Sequence, residues 1–245
     1  QFFSRYIYEA VAEDRSLFDA AEGEVVDGYR RIDNITDQAL ARFHAAYGPG
    51  ITKEDIFFYV YGLLYCPDYR NQFAADLKKM LPRIPDLTAA SDFAAFAAAG
   101  RKLSELHLGY DSVEPYPLEM VFLNEKPDLL VTKMRFAGKV GAWDKSTIRY
   151  NDEITLTGIP EEAHGYLLGS RSAIEWIIER YRPKSDKDSG IVNDPNDWAT
   201  EHDDPEYILN LLKRIVTVSV ETVAIVSSLP PLRVLDESLA ASEVA

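Results

Sequence analysis

Cysteine is nearly missing from this chain of 245 residues, the only one being Cys66. One thiol can form no internal disulfide and no zinc site built from cysteine pairs, and it fits the reducing cytoplasm as the compartment. Long apolar runs are missing too. A membrane-spanning helix needs about 18 or more consecutive apolar residues, and the apolar stretch Val216–Val226 is broken by Ser219, Glu221 and Thr222. The N-terminus has no basic segment leading into an apolar one, so no signal peptide is read there. Without secretion, the sequon Asn34-Ile35-Thr36 carries no weight. Histidine is scarce: His44, His107, His164 and His202 lie far apart, none at metal-ligand spacing. Positive charge is in short supply, with 26 Lys and Arg against 40 Asp and Glu, a net of −14. That average alone argues against a free-standing nucleic-acid binder, because phosphate contacts need Lys and Arg.

What is there is enough for a folded core. Hydrophobic residues make up 47% and charged residues 27% of the chain, which excludes long disorder. The chain begins at Gln1 rather than Met and is read as a piece of a longer polypeptide. The β-prone opening Phe2–Tyr8 predicts a short strand, followed by an acidic loop to about Asp27. Helical patterning then begins. Thr36 is an N-cap for a helix that stops at Gly48-Pro49, and Thr52 caps a second with Ile56, Tyr59, Val60 and Leu63 on one face. Pro67 opens a third helix carrying Phe73, Leu77 and Leu81, ended by Pro82. Ser91 or Asp92 starts a fourth, with Phe93, Phe96, Gly100, Leu103 and His107 in one stripe.

After Pro115 the pattern changes to short β-prone runs, Met120–Leu123, Leu130–Phe136, Thr147–Tyr150 and Ile154–Thr157, which read as a small antiparallel sheet. Helical spacing returns from Pro160, with a capping box at Ser172-x-x-Glu175. Asp204-Pro205 opens the longest helix, with the stripe Ile208, Leu211, Ile215, Val218, Thr222, Ile225 and Leu229 and an end at Pro230-Pro231. The expected fold is α+β, predominantly helical with a small antiparallel sheet in the middle of the chain. Helices are expected over 36–110 and 160–230, strands over 118–158. Boundaries are conceivable at Pro85–Ser91 and Tyr110–Pro117, but neither has linker composition. One compact unit over 1–232 is favoured, with a frayed tail over 233–245.

No catalytic motif survives inspection. Gly100-Arg101-Lys102-Leu103-Ser104 has the wrong order for a phosphate-binding loop and lies in a helical pattern. Pro67-Asp68 followed by Asp76-Leu77-Lys78 imitates the spacing of a metal-dependent nuclease, but both halves fall in a helical stretch. Asp194-Pro195-Asn196-Asp197 lacks the second proline and adjoining aromatic with which an amino-methyltransferase grips a flipped base. For Asn193–Trp198, whose Asn and Asp side chains are also of the kind that reads bases, the favoured reading is an Asp-Pro turn whose buried Trp fastens a loop. Phe57, Phe58, Tyr59, Tyr61 and Tyr65 have the spacing of packing residues rather than of a base-stacking platform. The chain is therefore expected to catalyse nothing.

Charge is unevenly spread. Residues 1–27 hold two Arg against seven acidic residues, whereas 129–150 hold Lys133, Arg135, Lys139, Lys145 and Arg149 against Asp144 alone. A contact surface can hide in such an acidic average.

Several runs resemble the C-terminal specificity region of the Type ISP restriction–modification enzymes of bacteria. They are Asp33-Asn34-Ile35-Thr36-Asp37, the run from Thr52 to Leu64, Leu81-Pro82-Arg83-Ile84-Pro85, Val113-Glu114-Pro115-Tyr116-Pro117-Leu118, the run from Lys187 to Trp198, and the run from Arg214 to Thr222. They occur in the family's order and span about residues 28–230. The resemblance implies a large parent polypeptide that joins a nuclease, a helicase-like ATPase, an adenine-N6 methyltransferase and a target-recognition domain. This chain resembles only the last. S-adenosylmethionine, ATP and Mg²⁺ would then belong to the parent, and no cofactor is expected in this chain.

On that resemblance the implied partners are double-stranded DNA and the methyltransferase domain of the same polypeptide, with no membrane. Recognition needs polar side chains at base edges and cations on the flanking phosphates. Lys133, Arg135, Lys139, Lys145 and Arg149 are the first candidates, and Arg30, Arg31, Lys184 and Lys187 the second. The competing reading is a structural module that docks on the methyltransferase core while other residues read DNA.

Overall fold

The computed structural model describes residues 4–11 and 24–235. Phe2 and Phe3, most of the expected acidic loop and most of the expected tail lie outside the described residues. The fold is α+β with small antiparallel sheets, as expected. Where one compact unit was favoured, contacts divide the chain into two: the described residues up to Ser104 with those from Ser228 on, and Glu105–Ser227.

The first unit opens with strands β1 (Tyr6–Ala10), β2 (Glu24–Val26) and β3 (Tyr29–Asp33), antiparallel in the order β1-β3-β2. Asp27 and Gly28, both at positive φ (52° and 80°), make the two-residue turn between β2 and β3. Asp-Gly is the residue pair that such a turn selects.

Helix α1 (Asp37–Tyr47) is capped by Thr36, whose hydroxyl accepts from Ala39 N, and ends at Gly48 with φ 101°. Helix α2 (Lys53–Tyr65) has a complete capping box between Thr52 and Asp55. The third expected helix is broken in two, α3 (Pro67–Gln72) and α4 (Ala74–Leu77), by the non-helical Phe73. Leu81 lies beyond both and is half exposed. Helix α5 (Ala90–Leu108) buries Phe93, Phe96 and Leu103 of the expected stripe.

Phe43, Ile56, Tyr59, Leu63, Cys66, Tyr69, Leu87, Phe93 and Phe96 form the core of this unit. Tyr59 belongs to it, Phe58 is buried elsewhere, and Phe57, Tyr61 and Tyr65 are partly buried, which supports packing as their role. Tyrosine hydroxyls also satisfy an extended segment that has no secondary structure of its own. Tyr69 donates to the Arg83 carbonyl at 2.7 Å, Tyr59 to that of Pro85 at 2.7 Å and Tyr47 to that of Leu87 at 3.1 Å. Leu87 in turn bridges to Val234, with Thr88 N donating to Arg233 O and Leu235 N to Asp86 O. The first residues of the expected tail are therefore paired rather than frayed.

The second unit is built on a four-stranded antiparallel sheet in the order β4-β7-β6-β5: β4 (Glu119–Phe122), β5 (Arg135–Lys139), β6 (Ala142–Arg149) and β7 (Ile154–Thr157). One face alternates inward, so Phe136, Ile148 and Leu156 are buried. The expected strand Leu130–Phe136 begins only at Arg135. Before it, side chains replace the ladder: Asn151 Nδ2 donates to the Leu130 carbonyl at 2.9 Å, and Asn196 holds Val131.

A 3-10 turn (Glu161–Gly165) and the short hairpin β8 (Leu167–Leu168) with β9 (Arg171–Ser172) follow. Helix α6 (Ala173–Arg180) carries the expected Ser172–Glu175 capping box. A second hairpin, β10 (Lys184–Ser185) with β11 (Val192–Asn193), leads to α7 (Asn196–Glu201) and the long helix α8 (Tyr207–Ser227). Helix α8 buries Ile208, Leu211, Ile215, Val218 and Thr222 and stops before Pro230-Pro231. Trp198 is not the buried residue expected. It is 42% exposed and stacks on His202 and Tyr207 at 4.0 Å, while the neighbouring Asn196 is the buried one.

Candidate nucleic-acid interface

The outward face of the four-stranded sheet is set by the same alternation that buries Phe136, Ile148 and Leu156. Arg135 and Arg149 are direct cross-strand partners, and Arg149 is paired on its other side with Thr155. These three therefore form one row across β5, β6 and β7, standing on the exposed side. Like charges directly opposite one another in an antiparallel pair destabilise a sheet. No carboxylate among the described residues lies within ion-pair distance of either arginine to offset this.

The row forms one wall of an open groove of about 940 Å³ within the second unit. Thr132, Lys133 and Met134 enter it from the segment held by Asn196, and Asn151 and Asp152 from the β6–β7 turn. Arg182, Pro183, Lys184 and Ser185 close the opposite side. Five cations (Lys133, Arg135, Arg149, Arg182 and Lys184) thus share the groove with a single carboxylate, Asp152. Outside its lining, Glu179 contacts Lys184 Nζ at 2.7 Å and Arg182 at 3.2 Å. The Lys184 hydrogen bond, with the charge of Arg182 beside it, holds the Glu179 carboxyl below its usual range. Asn151 is already committed: its Nδ2 donates to the Asp128 and Leu130 carbonyls, and its Oδ1 accepts from Glu153 N and Ile154 N. It shapes the groove floor and leaves ligand contacts to its neighbours.

Of the residues singled out from the sequence, Lys133, Arg135, Arg149 and Lys184 are brought together here. Lys145 is not in the groove; its ammonium pairs with Glu175 at 2.9 Å. Lys139 stands at the far end of the β5–β6 hairpin, opposite Ala142. Lys187 lies in the exposed β10–β11 connection. Arg30 and Arg31 belong to β3 of the first unit, where Arg30 is only 7% exposed and Arg31 pairs with Glu24 at 2.7 Å.

Arg182 was missed by sequence reading. It lies two residues before Lys184, in a stretch where Arg180, Arg182, Lys184 and Lys187 outnumber Asp186, but only the fold places it beside Lys133. The first unit offers a contrast. Its half-buried cations Arg5 and Arg101 share Glu54 at 2.9 and 2.7 Å and stack over Phe58, a charge-balanced cluster.

No group of His, Cys, Asp and Glu among the described residues is arranged to hold a metal ion. Asp68 and Asp76, which imitate a nuclease spacing, lie on α3 and α4. No helix among the described residues is long and apolar enough to cross a membrane.

A profile of the Type ISP C-terminal specificity domain matches residues 1–211. The chain belongs to this family. Three solved structures agree with the assignment. The ATP-dependent Type ISP restriction–modification enzyme LlaBIII bound to DNA is 33% identical with a TM-score of 0.76, over 94% of this chain and 14% of that one. A nuclease-deletion mutant of the Type ISP enzyme LlaGI, in complex with a DNA substrate mimic, is 40% identical with a TM-score of 0.68, over 84% of this chain and 17% of that one. The DrdV–DNA complex is 38% identical with a TM-score of 0.70, over 84% of this chain and 21% of that one. A search of the curated proteins found no match. The specificity domain described here therefore spans between 14% and 21% of the polypeptides it resembles.

Proposed function

We propose that this Type ISP specificity domain binds double-stranded DNA across the groove of its second unit. Bound there, the duplex would be positioned for the adenine methyltransferase and the ATP-dependent translocase and nuclease of a larger polypeptide. The observation that carries the proposal is the cross-strand pair Arg135–Arg149, two exposed guanidinium groups opposite one another with no carboxylate partner among the described residues. A run of phosphates supplies the missing negative charge in the planar geometry that guanidinium recognises best. The net charge of −14 sharpens the argument, since an acidic surface repels DNA and leaves the cationic groove as the place where it can land. The three similar structures each contain DNA. The chemistry of such a parent, with its S-adenosylmethionine, ATP and Mg²⁺, would lie in other parts of the polypeptide.

Docking on the methyltransferase domain is favoured as an additional role by Val121, Phe122 and Leu123. They are 51%, 45% and 76% exposed at and just beyond β4, an edge strand whose outer side is unpaired in the sheet. Apolar side chains on an open edge are a ready protein contact.

The test is fluorescence anisotropy of a labelled random duplex titrated with the chain across a salt series. Wild type is expected to bind with an affinity that falls steeply as salt rises, and each of Arg135→Ala and Arg149→Ala to reduce the log–log slope by about 1. Binding by wild type with slopes unchanged in both variants would move the interface elsewhere.

A further inference from the structure

The β5–β6 hairpin leaves the sheet. Strand β7 accompanies β6 only over Thr147–Arg149, so among the described residues the strand portions Ala137–Lys139 and Ala142–Asp144 have only each other as ladder partners. Residues 138–146 are all exposed, including Val140 at 89% and Trp143 at 41%. An apolar tip on a ribbon exposed among the described residues is costly in water and contributes little to the fold.

The root of this ribbon, by contrast, is anchored. Ile159 N donates to Ser146 O at 3.1 Å, His164 Nε2 lies 3.0 Å from Lys145 O, and Lys145 Nζ reaches Glu175 at 2.9 Å. A bulge opposite Phe136/Ala137 sets the angle at which the ribbon departs. Its pairing is kept tight by Gly138 at φ 90°, where a β-carbon would lie 2.5 Å from Ala142 O.

We propose that this ribbon is the reading head of the domain and enters the major groove of the duplex whose phosphates the Arg135–Arg149 pair receives. The inference rests on the DNA reading given above. The dimensions agree with it. Lys139 is four residues beyond Arg135, a reach of about 13 Å at a rise of about 3.3 Å per residue. The major groove is about 12 Å wide and about 8.5 Å deep and admits a two-stranded ribbon. With the arginine pair at the phosphates, Val140 therefore reaches the base edges. There its apolar side chain matches the thymine methyl group, and Lys139 beside it matches the N7 and O6 acceptors of guanine. Trp143 and the ribbon backbone supply the remaining contact surface.

The test uses the chain of 245 residues. Cys66 is 2% exposed, so a thiol introduced by Val140→Cys is the accessible one and can be labelled with an aryl azide photocrosslinker. Duplexes selected from a randomised pool by wild type serve as probe. The expected result is a crosslink to bases within the selected site, together with protection of guanine N7 from dimethyl sulfate there. The paired variant Val140→Ser/Trp143→Ser is expected to relax the selected sequence while leaving the salt slope as in wild type. Salt-dependent binding through Arg135 and Arg149 with no crosslink to bases, and with the same sequence selected by the tip variant, would overturn the ribbon assignment and leave the groove reading intact. A crosslink to protein alone in the assembled enzyme would overturn it equally. Absence of any duplex binding by wild type would remove both.

Discussion

Gly62 on α2 and Gly100 on α5 meet where the two helices touch. A β-carbon on Gly100 would lie 1.8 Å from the Phe58 carbonyl oxygen, and one on Gly62 2.3 Å from that of Phe96. Space, not backbone conformation, is what these glycines supply, and the obstacle in each case is backbone that no rotamer change can clear. Gly100→Ala is therefore expected to destabilise the first unit by about 2 kcal/mol or more, overriding the gain of up to about 1 kcal/mol in helix propensity. Urea unfolding gives the comparison. Gly50→Ala, where nothing lies within 4 Å, is the matched control and should leave the midpoint in place.

Asn196 holds both backbone groups of Val131, its Oδ1 accepting from Val131 N at 2.9 Å and its Nδ2 donating to Val131 O at 2.8 Å. Val131 is fully buried, so no water replaces the lost side chain in Asn196→Ala. The expected cost is about 1–3 kcal/mol for each backbone group left unpaired. Because the clamp also aims the segment carrying Lys133, duplex affinity should fall together with the urea midpoint.

Acid should weaken the second unit before its carboxylates titrate. His107 lies with Nε2 2.9 Å from Thr222 Oγ1 and its ring stacked on Tyr166, and burial pushes its pKa down. Burial pushes His164 down as well, against the opposing pull of its Lys145 carbonyl contact. A histidine with a depressed native pKa takes up its proton more readily in the unfolded chain. Stability is therefore lost as pH falls through about 6.5 and levels off below the native value. Urea midpoints measured from about pH 7.5 to about pH 5 should decline in wild type and decline less in His107→Gln.

Lys145 and Arg149 are four residues apart on one strand, yet they should respond differently to replacement. Lys145 is held by Glu175 outside the groove, whereas Arg149 faces the groove without a carboxylate. Lys145→Ala should change stability by no more than about 1 kcal/mol, as expected of a surface pair. It should also leave the salt dependence of duplex binding close to that of wild type, unlike Arg149→Ala. Equal losses in the two variants, measured by anisotropy, would contradict the groove as the site of phosphate contact.

Helix ends were the most legible part of this sequence, because capping is local chemistry. Thr36, Thr52 and the Ser172–Glu175 box each act where the residue pattern placed them. Strand pairing was harder, because its partners are distant. The β2–β3 hairpin announced itself only through Asp27-Gly28, in a stretch whose acidic composition read as loop. Leu130–Val131 has the composition of a strand, but its backbone groups are satisfied by Asn151 and Asn196, the latter 65 residues away in the case of Val131. The groove was half legible. The net positive charge of residues 129–150 marked Arg135 and Arg149, whereas Arg182 becomes a neighbour of Lys133 only through the tertiary fold.

The chain closes its first unit only after completing its second, since residues from Ser228 return to pack Leu229 and Leu232 beside Leu87. In topological terms the second unit is an insertion. Its two ends come close together, because His107, near its beginning, is within hydrogen-bond reach of Thr222, near its end. An insert that starts and finishes at nearly one place can be exchanged without rethreading its host. The groove and its ribbon are thus carried as a cassette in the order of the chain, with the residues that build the host unit's core lying on either side of it in sequence.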